Sequence, residues 1–229
     1  MTTSCIRALF ILVCMLSAES VLSQESFLSY LQPQLALNYN VTPSYSHNFI
    51  LSSRNFIYRE DKFRLEGRNF DISHFSNFKT GVNTSFGAGL MYRFRKLFDN
   101  TRTNELRLTQ QLNTTSRPMV VRYGHRWRTE QRFFPDVTVH RFRYRFTLDF
   151  PLEGEKVDIN EAYLILNTEA LLSVASGRGA QYDQRFTAAL GWLLEEKVQL
   201  QAGLEYRLEN YTRNTQPVLF LNSSLIFSL

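Results

Sequence analysis

Three arginines stand at alternate positions in His140-Arg141-Phe142-Arg143-Tyr144-Arg145-Phe146. In an extended chain this spacing places Arg141, Arg143 and Arg145 on one face and His140, Phe142, Tyr144 and Phe146 on the other. Three neighbouring guanidiniums repel each other and are costly to bury unless carboxylates answer them. Carboxylates and further arginines occupy matching polar positions elsewhere, at Glu105, Arg107, Arg126, Arg128, Glu130, Glu169, Arg185, Glu205 and Arg207. Together these twelve residues define a candidate charge network, whose chemistry is either interior packing by ion pairs or attraction of a small anionic solute, since the chain carries a net charge of +5.

Hydrolytic and metal chemistry are weaker prospects. Asp71, His74 and Ser76 form the best local constellation, but on a strand Ser76 and His74 point together while Asp71 points away, so no hydrogen-bonded relay is expected. His47, His125 and His140 lack metal-ligand spacing, and no phosphate-binding glycine loop, HExxH or GxSxG occurs. Both cysteines, Cys5 and Cys14, lie in a segment expected to be removed, which excludes disulfide, thiolate-metal and cysteine-nucleophile chemistry in the mature chain. Neither a catalytic residue, a cofactor nor a metal is expected. Nucleic-acid binding is not expected either, because the alternation parts the arginines from the aromatic rings and leaves no joint stacking platform.

The removed segment is residues 1–23, which reads as a secretory signal peptide: Arg7 supplies the charge, Ala8 to Leu16 the apolar core, and Val21-Leu22-Ser23 the cleavage site. Residues 24–229 are then expected to form one domain. With 44% hydrophobic and 21% charged residues, ten Gly and six Pro, the chain is neither disordered nor collagen-like. Past the N-terminus, no apolar run reaches the roughly 18 residues of a membrane-spanning helix, so any membrane role falls to strands.

Period-two alternation dominates from residue 33 onward. Val82, Thr84, Phe86, Ala88, Leu90, Tyr92 and Phe94 oppose Gly81, Asn83, Ser85, Gly87, Gly89, Met91 and Arg93; the same division recurs over 198–208 and in the last row, Leu219 to Leu229. Further runs span 33–42, 45–58, 62–72, 103–115, 119–131, 137–150, 161–174 and 182–194, with turn residues such as Thr42-Pro43-Ser44, Arg59-Glu60-Asp61 and Gly177-Arg178-Gly179 between them. Eleven runs result, several of them longer than the five or six residues usual in soluble domains. Long two-faced strands with aromatic residues at their ends predict an all-β, antiparallel, transmembrane up-and-down barrel, with apolar faces toward lipid and charged faces inward. Because bacterial single-chain barrels have even strand numbers, eleven conflicts with closure, and ten to twelve strands are expected. Sequons at Asn40, Asn83 and Asn222 are read as chance matches, since two fall inside strands.

Several segments resemble the bacterial family called domain of unknown function 2490: Asn104 to Gln111, His125 to Phe133, His140 to Phe146, Asn167-Thr168-Glu169 with Asp183-Gln184-Arg185, and Asp71 to Phe78. The resemblance spans most of the mature chain and implies an outer-membrane barrel of Gram-negative bacteria, with no activity attached. The ending Phe227-Ser228-Leu229 resembles the signal read by the barrel-assembly machinery, with Leu in place of the commoner terminal aromatic. The expected function is therefore non-enzymatic, either structural or a narrow small-solute conduit, with outer-membrane lipid and the assembly machinery as partners. A lipid-modifying outer-membrane enzyme and a soluble secreted or periplasmic β-sandwich are the alternatives.

Overall fold

A computed structural model describes residues 27–229, and the expected signal peptide lies outside them. Eleven strands follow one another: β1 (Leu28–Thr42), β2 (Tyr45–Arg59), β3 (Lys62–Lys79), β4 (Thr84–Phe94), β5 (Glu105–Ser116), β6 (Arg122–Phe133), β7 (Thr138–Pro151), β8 (Ala162–Ala175), β9 (Arg178–Glu195), β10 (Val198–Glu209) and β11 (Gln216–Ser228). No described residue is helical. Each strand pairs antiparallel with the next, and the sheet closes on itself when β1 pairs with β11. It is one closed sheet, which removes the two-sheet sandwich as an architecture.

Closure corrects one expectation. An odd number of strands in an up-and-down meander brings the first and last together in the same direction, and β1 and β11 are parallel from Leu28↔Val218 to Asn38↔Ser228. A parallel ladder satisfies the backbone donors and acceptors of both edges as an antiparallel one does, at slightly lower stability per residue. Nothing in hydrogen-bond chemistry therefore forbids eleven.

Short connections hold the strands in register. Glu60 and Asp61 both have positive φ, 53° and 56°, the signature of a two-residue turn whose twist matches the flanking strands. At the opposite rim, the Thr42 hydroxyl accepts from the amides of Ser44 and Tyr45 at 3.3 and 3.0 Å. The longest connections are residues 95–104 and 152–161. We call upper the rim where β1 and β11 begin, and lower the rim where they end.

Polarity is inverted relative to a soluble domain. Leu90, Phe142, Phe186 and Leu204 stand on the outer surface at 48 to 51% exposure, while Glu105, Glu130, Glu169 and Asp183 are at most 2% exposed inside. The buried apolar residues are few. Tyr30, Phe56, Val218 and Phe220 cluster inside the upper half of the barrel across β1, β2 and β11. Guanidiniums cap these rings: Arg207 lies 3.6 Å from the Phe220 centroid, Arg54 4.8 Å from the same ring, and Arg68 4.8 Å from Tyr30. Contacts of this kind are worth about 2 kcal/mol or more each when desolvated.

Glycine makes room for an inward ring on β3. Phe75 pairs with Gly89, and its ring lies where a Cβ at residue 89 would project. Gly89→Val is expected to force that ring out of place at a cost of about 1–3 kcal/mol. A urea-unfolding midpoint equal to the wild type would show that the ring moves freely.

Candidate functional site

The barrel interior is built from the polar alternate positions of β3 to β10, and cross-strand register sets which charges meet. Arg93 lies opposite Asp71 and Glu105, Glu130 opposite Arg141, and Glu169 opposite Arg145 and Arg185. Side chains reaching diagonally complete the pairs. Glu105 is surrounded by Arg95 at 2.5 Å, Arg107 at 2.6 Å, Arg132 at 2.7 Å and Arg93 at 3.9 Å. Arg143 bridges Glu130 and Glu169, at 2.6 Å from each. Glu130 also faces Arg107 at 3.6 Å and Arg128 at 3.8 Å, and Glu169 faces Arg145 at 3.0 Å and Arg185 at 3.5 Å. Glu205 pairs with Arg207.

All twelve candidate residues lie on the inward face, but the structure does not unite them in one chain of ion pairs. Among the described residues, Arg126 and Arg141 have no carboxylate within 4.0 Å; Arg126 donates to Asn113 at 2.7 Å and Arg141 to Ser173 at 2.8 Å. Arg93, Arg95 and Arg132 join Glu105, and none of the three is among the twelve. Arg132 shares the alternation of Arg126 and Arg128 and was recoverable from it, whereas Arg95 lies just beyond β4, where periodicity ends.

Between this belt and the lower rim the inward residues change character. A cavity of about 230 Å³ is walled by Arg145, by the Glu205 carboxylate and by amide and hydroxyl side chains including Gln32, Asn167 and Ser224. A second, of about 430 Å³, shares Ile165 and Gln201 with it and reaches the rim residues Arg117 and Arg122. The belt above is packed by buried ion pairs, and the two cavities form a vestibule below it.

The Asp71, His74 and Ser76 constellation separates as strand geometry requires. Asp71 faces inward and accepts from Arg93 at 2.8 and 2.6 Å, while His74 and Ser76 face outward. Outside they meet a residue that spacing within β3 alone does not reveal: the His47 Nδ1 lies 2.9 Å from His74 Nε2 and 3.5 Å from Ser76 Oγ. Tyr45 lies 3.3 Å from the same hydroxyl. Both contacts fall on one nitrogen of His47, so Ser76 and His74 compete for it instead of forming a relay. No group of three or more His, Cys, Asp or Glu side chains able to hold a metal ion occurs among the described residues.

Comparison with curated proteins finds no match. Among solved structures the chain is similar to the siderophore receptor PirA from Pseudomonas aeruginosa, at 15% identity and a TM-score of 0.36, over 80% of this chain and 35% of that one. The chain thus spans about a third of the receptor's length. The family described as Protein of unknown function (DUF2490) matches residues 33–217, which cover the barrel from β1 to the start of β11, and the chain belongs to that family.

Proposed function

We propose that this protein is a non-enzymatic outer-membrane β-barrel of a Gram-negative bacterium, inserted by the barrel-assembly machinery after signal-peptide cleavage, in which a charged belt partitions the interior. Its role is structural, with passage of small solutes limited to what the belt admits. The inverted polarity carries this reading. Rows of Leu, Phe and Tyr cover the outside of a closed sheet while carboxylates are buried within it, an arrangement that is stable against hydrocarbon and unstable against water.

Planar-bilayer recording of refolded protein tests the partition. Near-baseline current from a preparation that is heat-modifiable on gels supports it, whereas a stable anion-biased conductance would make the protein a conduit. Leu204, midway along β10 and 51% exposed, tests the lipid contact. Leu204→Arg is expected to lower stability in bilayers by about 2–4 kcal/mol, as for a cation at the midplane. Equal stability of the two proteins, or a mature chain that remains dissolved without detergent, would remove the membrane reading.

The alternative reading, a lipid-modifying enzyme, would have to draw on the outward cluster of His47, His74 and Ser76, which as arranged forms no relay. Lipid hydrolysis by the purified barrel that is lost in His74→Ala would establish it over the first.

A further inference from the structure

The inward faces of β6 and β7 hold an imbalance of charge. Apart from the rim pair Arg122–Asp149, they carry Arg126, Arg128, Arg132, Arg141, Arg143 and Arg145 against a single carboxylate, Glu130. The register aggravates it, because Arg126 stands directly opposite Arg145 and Arg128 directly opposite Arg143. Residues so placed have Cβ atoms about 5 Å apart, and like charges there are destabilising. The flanking strands answer only part of the excess. Glu105 on β5 takes Arg132, and Glu169 on β8 takes Arg143 and Arg145.

Arg126 and Arg128 are left facing amides. Arg126 donates to Asn113, and Arg128 donates twice to the Gln111 oxygen at 3.2 and 2.6 Å, with Glu130 no nearer than 3.8 Å. A neutral amide oxygen satisfies a donor but does not balance a charge removed from water. These residues also mark the boundary between belt and vestibule. Arg145 walls the 230 Å³ cavity together with Glu205, its cross-strand partner Arg126 sits at the same height, and the adjoining 430 Å³ cavity extends to the lower rim.

On the barrel reading above, we propose that Arg126, Arg128 and Arg145 form a binding site for a small oxyanion of the phosphate or phosphomonoester class, reached through the lower vestibule. Three guanidiniums carry more donors than Asn113, Gln111 and Glu169 can occupy, and their planar forks suit tetrahedral oxyanions. The anion supplies the countercharge that the protein withholds at this point. The vestibule, lined by amides, apolar side chains and the carboxylates Asp149 and Glu205, then accommodates the neutral remainder of an ester.

Calorimetric titration of the refolded full-length barrel in detergent, with inorganic phosphate and separately with glucose 6-phosphate in a chloride buffer of matched ionic strength, tests the site. Saturable binding of either probe is expected, weakened at least about tenfold in R126Q/R128Q. Phosphate alone binding identifies the free ion, and preference for the ester identifies a phosphorylated solute. Heat-modifiability checks that the variant folds; if it does not, a rise in the wild-type unfolding midpoint with phosphate, absent with equal added chloride, is the required result. No saturable heat for either probe, or equal affinity in the folded variant, overturns the site. Because the partition is read by conductance in phosphate-free buffer, loss of the site leaves that reading standing, and loss of the partition leaves the site measurable.

Discussion

Glu105→Ala is expected to lower the unfolding free energy of the refolded barrel by about 3–5 kcal/mol, the usual consequence of deleting one partner from a buried ion pair. The effect is large because Glu105 is fully buried and lies within 4.0 Å of four guanidiniums. Arg93 retains Asp71, and Arg107 retains Glu130 at 3.6 Å. Arg95 and Arg132 have no other carboxylate within 4.0 Å among the described residues and would be left charged against protein. Glu105→Gln separates charge from packing, since it keeps the volume and one acceptor oxygen. Its cost should fall between the wild type and the alanine variant. Urea titration followed by fluorescence of Trp127 and Trp192 measures both. A midpoint for Glu105→Ala that matches the wild type would mean that water reaches Arg95 and Arg132 freely and that no partition exists there. Such a deletion measures the penalty of stranding charges, not the net worth of the network, because replacing an entire buried group of charges by apolar side chains is often neutral.

Arg143→Glu should be worse still. Arg143 is the link between two carboxylates, and reversing its charge would set Glu130, Glu169 and the new carboxylate against one another on adjacent strands. Little or no heat-modifiable barrel is expected from refolding. Arg143→Met, which removes the charge but retains a long flexible side chain, should fold in lower yield than the wild type and higher yield than the reversal. Restoring a cation nearby, as in R143E/E169R, should recover part of the loss. Wild-type yield and thermal stability for Arg143→Glu would show that these side chains do not depend on one another.

Alternation alone locates the strands to within a few residues and divides their faces, because a side chain's direction along a strand is fixed by local backbone geometry. Thus the polar row Gln199, Gln201, Gly203, Glu205 and Arg207 faces inward on β10, and Phe142 and Tyr144 face outward on β7. Contacts between strands obey a different logic. His47 reaches His74 and Ser76 because β2 and β3 align His47 with Ser76, an offset produced by the whole meander and not by either segment. The buried cluster of Tyr30, Phe56 and Phe220 was invisible for a related reason. Its residues occupy positions where the period calls for polar side chains, at the start of β1, near a register shift in β2, and beside Arg207 of β10, which covers the Phe220 ring. Parity failed for a third reason, since the number of strands in a sheet and its manner of closure are not properties of any single strand.

The parallel seam also bears on how such a sheet can be derived. Duplicating or deleting a hairpin alters the total by two and preserves whether it is odd or even, so an eleven-stranded cylinder cannot descend from an even-stranded ancestor by hairpin steps alone. Descent from such an ancestor requires that a single strand be gained, lost or split, and the junction of β1 with β11 is where that step is absorbed without disturbing the ten turns.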